Sequence, residues 1–229
     1  MTEKGRMFAK VWAQALLYGS LWGMAEATAG HALHLARVPG LAGFIMFPLG
    51  FILMSLAFRR TGRNVLAALM TSWVAAGIKL VDLLLPGTDF MAVWNPAQAI
   101  LLEGLAAAGL ILVLRKTRAT VARAAIASLC WRMAYLALGF LWFELFGAGN
   151  LVQTQPAFLL RFLLLDSLAN GSLIYFLLRL GPLRMPLFAP DAKISKLLSR
   201  PDETKATALN QPALAVILLV AALSLELVL

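Results

Sequence analysis

The chain has 229 residues, of which 61% are hydrophobic and 14% are charged, whereas soluble domains average roughly 45–50% apolar and about 25% charged residues. This composition excludes an ordinary soluble domain and predicts an all-α polytopic membrane protein. The formal net charge is +9, but Lys and Arg stand in short clusters between apolar runs, which is typical of cytoplasmic loops rather than of nucleic-acid binding. Cys130 is the only cysteine, which excludes an intrachain disulfide.

Apolar stretches long enough to cross a bilayer, which takes about 20 residues, recur along the whole chain. The first six predict a transmembrane bundle over residues 1–180, followed by a cytoplasmic linker at 181–212 and a C-terminal transmembrane helix at 213–229. Within the linker, the pattern fits either a short basic amphipathic helix or a plain solvated chain. The predicted spans are 11–33, 41–58, 65–85, 95–114, 124–146, 156–178 and 213–229.

The connections between these spans alternate in their content of Lys and Arg. The counts are three before the first span, then one, three, none, four, none and six. Because positively charged loops stay in the cytoplasm, this alternation predicts a cytoplasmic N-terminus and a multi-pass protein of the bacterial inner membrane. Trp12 fits the inner interface, and Trp94 and Trp142 fit the outer one.

Ionisable residues are frequent inside the predicted spans, and such residues usually have a function because a charge in hydrocarbon is costly. At a rise of about 1.5 Å per residue most of them fall in the outer half of the membrane, which predicts a polar cavity that opens outward. Arg132 alone falls in the inner half, and we expect it to extend toward the cytoplasmic headgroups. The expected substrate-binding residues are Glu26, His31, His34, Lys79, Asp82, Asn95, Gln98, Glu103, Arg161 and Asp166.

The charges within the spans do not balance. Five carboxylates face three Lys and Arg side chains, so a proton, a cationic solute or a metal ion is expected to compensate the excess. A metal ion is a possible ligand, and no resident cofactor is predicted. His31 and His34 are either solvated at the interface or part of a metal site with Glu26.

Three local patterns make further predictions. Gly19 and Gly23 share a ridge of small residues, which packs either within this chain or against a partner subunit. Lys79 and Asp82 are spaced for a salt bridge along one helix. Asn95, followed by proline, predicts the N-cap of the fourth span.

With its small size, basic charge, six core spans and the Ala25-x-x-x-Ala29 pattern in the first span, the chain resembles the substrate-capture (S) components of energy-coupling factor transporters. The resemblance covers roughly residues 7–180. It implies a vitamin or metal-ion ligand near the outer face. It also implies that Ala25 and Ala29 dock against a membrane coupling subunit that works with separate ATPases. A seventh span departs from the six-helix layout of that family.

These observations favour an integral membrane subunit that binds a small cationic or amphipathic solute for uptake. Two alternatives remain open. A membrane-embedded enzyme would use the intramembrane Glu, Asp and His residues as acid, base or metal ligands, although no nucleophile or metal-binding motif is found. A non-catalytic assembly subunit would use the small-residue ridge for docking, and its charges would pair only with one another.

Overall fold

A computed structural model describes residues 2–30, 32–33, 40–147, 155–180 and 214–225, and all regular elements in these ranges are helical. Three of the helices contain a π-helical or 3₁₀ turn. The helices are α1 (Glu3–Ala25, continued by a π-helical turn at Glu26–Gly30), α2 (Leu41–Arg60), α3 (Val65–Leu80, continued by a 3₁₀ turn at Val81–Leu84), α4 (Phe90–Lys116), α5 (Val121–Phe146), α6 (Pro156–Leu160, a π-helical turn at Arg161–Leu165, and Asp166–Leu180) and α7 (Leu214–Leu225).

Five of these helices, α2 to α6, are long and apolar enough to cross a membrane. The prediction of an all-helical chain with several helices able to cross a membrane is therefore confirmed for the described residues. Helix α1 is not among these five helices, because polar residues such as Lys10, Gln14 and Ser20 make it less apolar than the others. Helix α7 has 12 described residues, fewer than the ~20 that a full crossing needs, and residues 226–229 lie outside the described part of the chain.

The start of α4 differs from the prediction that Asn95 caps the fourth span. Helix α4 begins at Phe90, and the carboxylate of Asp89 caps it by accepting a 3.1 Å hydrogen bond from the backbone N–H of Met91. Asn95 and Pro96 lie inside the helix. An Asp N-cap stabilises a helix as effectively as Asn, and the helix therefore begins at Phe90, more than a turn before Asn95. Pro96 has no backbone N–H, so one hydrogen bond is missing inside the helix.

Helix α2 occupies the centre of the bundle, in contact with α1, α3, α4 and α6. Helices α1 and α3 run parallel, since Gly19 faces Val74 and Gly23 faces Ile78. A Cβ atom at Gly19 would lie 2.6 Å from the Val74 side chain, so the missing side chain is what permits this close approach. The ridge of small residues is thus used for packing within the chain.

The basic clusters meet at one end of the bundle. The last turns of α2 and α4 carry Arg59 and Arg115, respectively, and the Arg115 guanidinium lies 6.0 Å from the centre of the Phe58 ring. Helix α1 begins at this end because it runs parallel to α3, and α6 finishes here with Arg179 in its last turn. We call this the basic end. The opposite end carries an aromatic group made of Phe90, Trp94, Trp142 and Phe146.

Gly171 provides a test of the packing of α6 against α5. A Cβ atom there would lie 2.6 Å from the backbone nitrogen of Ala125, a clash that no side-chain rotation relieves. Gly109 on α4 has open space around it. Alanine favours a helix interior by about 1 kcal/mol over glycine, so we expect Gly109→Ala to keep or raise the thermal midpoint in detergent. We expect Gly171→Ala to lower it, and equal midpoints for the two variants would contradict this packing.

Candidate functional site

Glu103 stands halfway along α4 and is only 2% exposed. Its Oε1 atom lies beside Gly43 in the first turn of α2, and its Oε2 atom has no hydrogen-bond partner in the described ranges. Glu26, which is 7% exposed, begins the π-helical turn after α1 and is close enough to interact electrostatically with Glu103. Two carboxylates are therefore buried together in the interior of the bundle.

Arg132 is fully buried, and the prediction that it extends toward the cytoplasmic headgroups is wrong. Its guanidinium lies over two aromatic rings, 4.6 Å from the centre of Trp131 and 4.8 Å from that of Phe162. Its Nε atom donates to the Ser128 hydroxyl at 3.3 Å. Arg132 also interacts electrostatically with Asp166 and Glu103. Such contacts offset the cost of desolvating a guanidinium, and they explain why the side chain turns inward.

Asn170, which is also fully buried, links three helices at this point. The hydrogen-bonding pattern orients its amide so that the nitrogen donates to the carbonyl of Phe44 on α2 at 2.8 Å. The amide oxygen then accepts from Nη2 of Arg132 on α5 at 2.9 Å. The first turn of α2 is thereby tied to α5 and α6 through one side chain. We call Glu26, Glu103, Arg132, Asp166 and Asn170 the polar cluster.

Aromatic side chains pack around the Arg132 side of the polar cluster. Trp131 contacts Phe47, Tyr135 and Phe162, with ring centres 5.8, 6.4 and 6.0 Å apart. Gly43 makes room for the Trp131 ring, since a Cβ atom there would lie 2.7 Å from it. The Arg132 guanidinium therefore lies among large apolar surfaces, where a low local dielectric constant strengthens its electrostatic interactions.

Both π-helical turns adjoin the polar cluster. Glu26 begins the first, and the second, Arg161–Leu165, ends immediately before Asp166. Arg161 Nε lies 3.9 Å from Asp166 Oδ1, with Arg161 half exposed and Asp166 largely buried. Single π-helical turns occur frequently at functional sites, because they redirect side chains within a helix.

The predicted site residues outside the polar cluster have other partners or lie outside the described residues. Lys79 and Asp82 form the predicted salt bridge along α3, with Nζ and Oδ2 2.6 Å apart. Gln98 accepts a 3.1 Å hydrogen bond from the Trp142 indole. His31 and His34 lie outside the described residues, so the metal site with Glu26 remains a prediction. Of the predicted docking positions, Gly19 and Gly23 pack against α3, Ala25 is half-buried and Ala29 is exposed.

A groove of about 500 Å³ lies between α4 and α5 at the end of the bundle opposite the basic end, beside the aromatic group. Its lining is almost wholly apolar, and Gln98 is the only predicted site residue in it. It therefore differs in chemistry from the predicted polar cavity. The lining residues are Trp94, Gln98, Leu101, Leu102, Leu138, Leu141, Trp142, Leu145 and Phe146.

Sequence reasoning missed four members of this site: Ser128, Trp131, Arg132 as an inward-facing residue, and Asn170. A signal was present, because Ser128 and Arg132, and likewise Asp166 and Asn170, are four residues apart and so share a helix face.

Within the described ranges no three His, Cys, Asp or Glu side chains group as metal ligands do. The arrangement that is present consists of buried carboxylates, one oriented guanidinium and aromatic surfaces, which are the kinds of group that line binding sites for polar or charged solutes in other proteins.

Comparison with protein-family models, with curated proteins and with solved structures gives no match for this chain. The resemblance to the substrate-capture components therefore stays a prediction from sequence. The residues of the site and their chemistry carry the functional argument.

Proposed function

We propose that this chain is the integral membrane, substrate-binding subunit of a transporter that takes up a small cationic or amphipathic solute, such as a vitamin, an amine or a metal ion. The solute binds at the polar cluster. The observation that carries this proposal is Glu103, a carboxylate at the middle of a membrane-spanning helix whose Oε2 atom has no hydrogen-bond partner in the described ranges. Intramembrane ionisable residues of this kind commonly mark substrate or ion paths.

The unpartnered carboxylate oxygen indicates what the solute must offer. Glu103 Oε2 is a buried acceptor without a hydrogen-bond partner in the described ranges, and a buried polar atom that lacks a partner is costly in a medium of low dielectric constant. A cationic donor group on the solute, such as an ammonium, supplies that partner. A purely structural cluster would satisfy its own polar atoms, and Glu103 Oε2 argues against that alternative.

The proposed topology has six core spans, α1 to α6, with the N-terminus in the cytoplasm of a bacterium and α7 as a further C-terminal span. Helix α1 enters the set because it packs along α3 and buries Trp22 within the bundle. The basic end then faces the cytoplasm, in keeping with the positive-inside rule. Ala25 and Ala29 are the proposed contacts with a membrane coupling subunit, whose ATPases supply the energy.

Mild-detergent purification from native membranes, with mass spectrometry of everything that is retained, tests the proposal. We expect ATPases, a second membrane subunit and a bound small molecule to co-purify. The same purification of the Glu26→Gln/Glu103→Gln variant is expected to lose the small molecule and keep the protein partners. Glu144→Gln, which alters an exposed carboxylate at the end of α5, is the matched control and is expected to retain both.

Retention of the small molecule by the double variant would contradict this site. A partner-free protein with stoichiometric zinc or iron would contradict the transporter function and favour the enzyme.

A further inference from the structure

Two unpartnered polar atoms of opposite character lie in the polar cluster. Glu103 Oε2 is a buried acceptor, and Arg132 Nη1 is a buried donor, and neither has a hydrogen-bond partner among the residues that the structure describes. Glu103 and Arg132 interact electrostatically, yet no carboxylate of the described ranges forms an ion pair with Arg132. The indole N–H of Trp131, a buried donor next to Arg132, is also unpartnered.

The Arg132 guanidinium is held in place by the rest of its environment. Ser128 and Asn170 hold its Nε and Nη2 atoms, and the rings of Trp131 and Phe162 cover it. A guanidinium with this many contacts keeps a fixed direction, and its remaining N–H groups suit a carboxylate particularly well. Buried polar groups are normally paired, so an unpaired donor and an unpaired acceptor in one cluster call for a ligand that satisfies both.

From this geometry we infer that the solute is bipolar and carries an ammonium group that binds Glu103 and a carboxylate that binds Arg132. Its apolar portion packs against Trp131. This inference rests on the proposed function and makes Arg132 a specificity-determining residue. The solute belongs to the class of amino acids and related zwitterions rather than to that of simple amines.

The test is equilibrium dialysis of the nanodisc-embedded protein against an equimolar mixture of three matched families of probes. These are the standard amino acids, the amines that lack their carboxylate, and the carboxylic acids that lack their amine, all on the same side chains. Bound probes are quantified by mass spectrometry. We expect at least one amino acid to be enriched tenfold or more over its matched amine and its matched acid.

The variants assign each end of the solute. Glu103→Gln is expected to abolish the preference over the acid, and Arg132→Gln the preference over the amine. Arg132→Lys keeps the charge and should keep part of the second preference. Arg118→Gln, an exposed arginine outside the bundle, should change neither. Thermal unfolding of each variant in the same nanodiscs verifies that it is folded.

Enrichment of amines equal to that of amino acids, lost in Glu103→Gln and retained in Arg132→Gln, would overturn the bipolar assignment and leave the proposed function intact. If no probe of any family is enriched, the bipolar assignment is overturned. The proposed function is then judged separately, by the partners and the small molecule that co-purify from native membranes.

Discussion

Replacing Arg132 by methionine is expected to lower the free energy of unfolding by about 3–5 kcal/mol, the usual cost of removing one member of a buried charged group. Methionine fills a similar volume between Trp131 and Phe162. It leaves the amide oxygen of Asn170 without its donor and removes the cation that interacts with Glu103 and Asp166. Unfolding by sodium dodecyl sulfate in mixed micelles, followed by circular dichroism, measures the change.

Two further variants separate burial from a general effect of charge. Arg118→Met removes an exposed arginine and is expected to change stability by no more than about 0.5 kcal/mol. The double variant Arg132→Met/Glu103→Gln removes charges of both signs. It is expected to be more stable than the sum of the two single changes predicts, by about 0.5–3 kcal/mol. A wild-type-like stability for Arg132→Met would contradict the inward orientation of this side chain.

The outline of the bundle was predictable from sequence because apolar run length and clusters of Arg determine where membrane helices begin and end. Helix α2 begins at Leu41 as predicted and extends two residues beyond the predicted end, through Arg59 and Arg60. The start of α4 was wrong because two capping signals, at Asp89 and Asn95, compete over a short distance. Sequence alone does not tell which of them the neighbouring helices will favour.

The placement of Arg132 was not predictable in the same way. The position of a residue along a helix gives only its depth in the membrane. The charge of an arginine near the middle of a span can be stabilised in two ways. The side chain either extends to the headgroups or finds partners inside. Which of the two occurs depends on Asn170 and Phe162, which lie on another helix and meet Arg132 only after α5 and α6 have packed.

The same distinction, between contacts within one helix and contacts between helices, applies to the other charged residues. Lys79 and Asp82 pair locally, as their spacing alone indicated. Glu103 and Glu26 come together only because α1, α2 and α4 pack around Gly43 and the π-helical turn. Charged pairs within one helix are therefore readable from sequence, whereas the polar cluster is a property of the tertiary structure.

Trp22→Ala is expected to lower the free energy of unfolding by about 3–5 kcal/mol, the cost of deleting a large buried aromatic side chain. Trp22 is fully buried, and its ring lies directly against Gly50 of α2. This contact fixes α1 to α2 at the centre of the bundle. Because lipid provides no hydrophobic drive for helix association, such close packing carries much of the attachment. Unfolding in mixed micelles again measures the loss.

Trp73→Ala is the matched control, since Trp73 on α3 is 59% exposed and its loss should have little effect in micelles. A substitution on the other side of this contact, at Gly50, tests the same packing. Gly50→Ala forces a Cβ atom into the Trp22 ring and should be destabilising in the wild-type chain. It should be much less destabilising when Trp22 is already alanine, because the obstructing ring is gone. Equal costs of Gly50→Ala in the two backgrounds would show that α1 is attached to the bundle by other contacts.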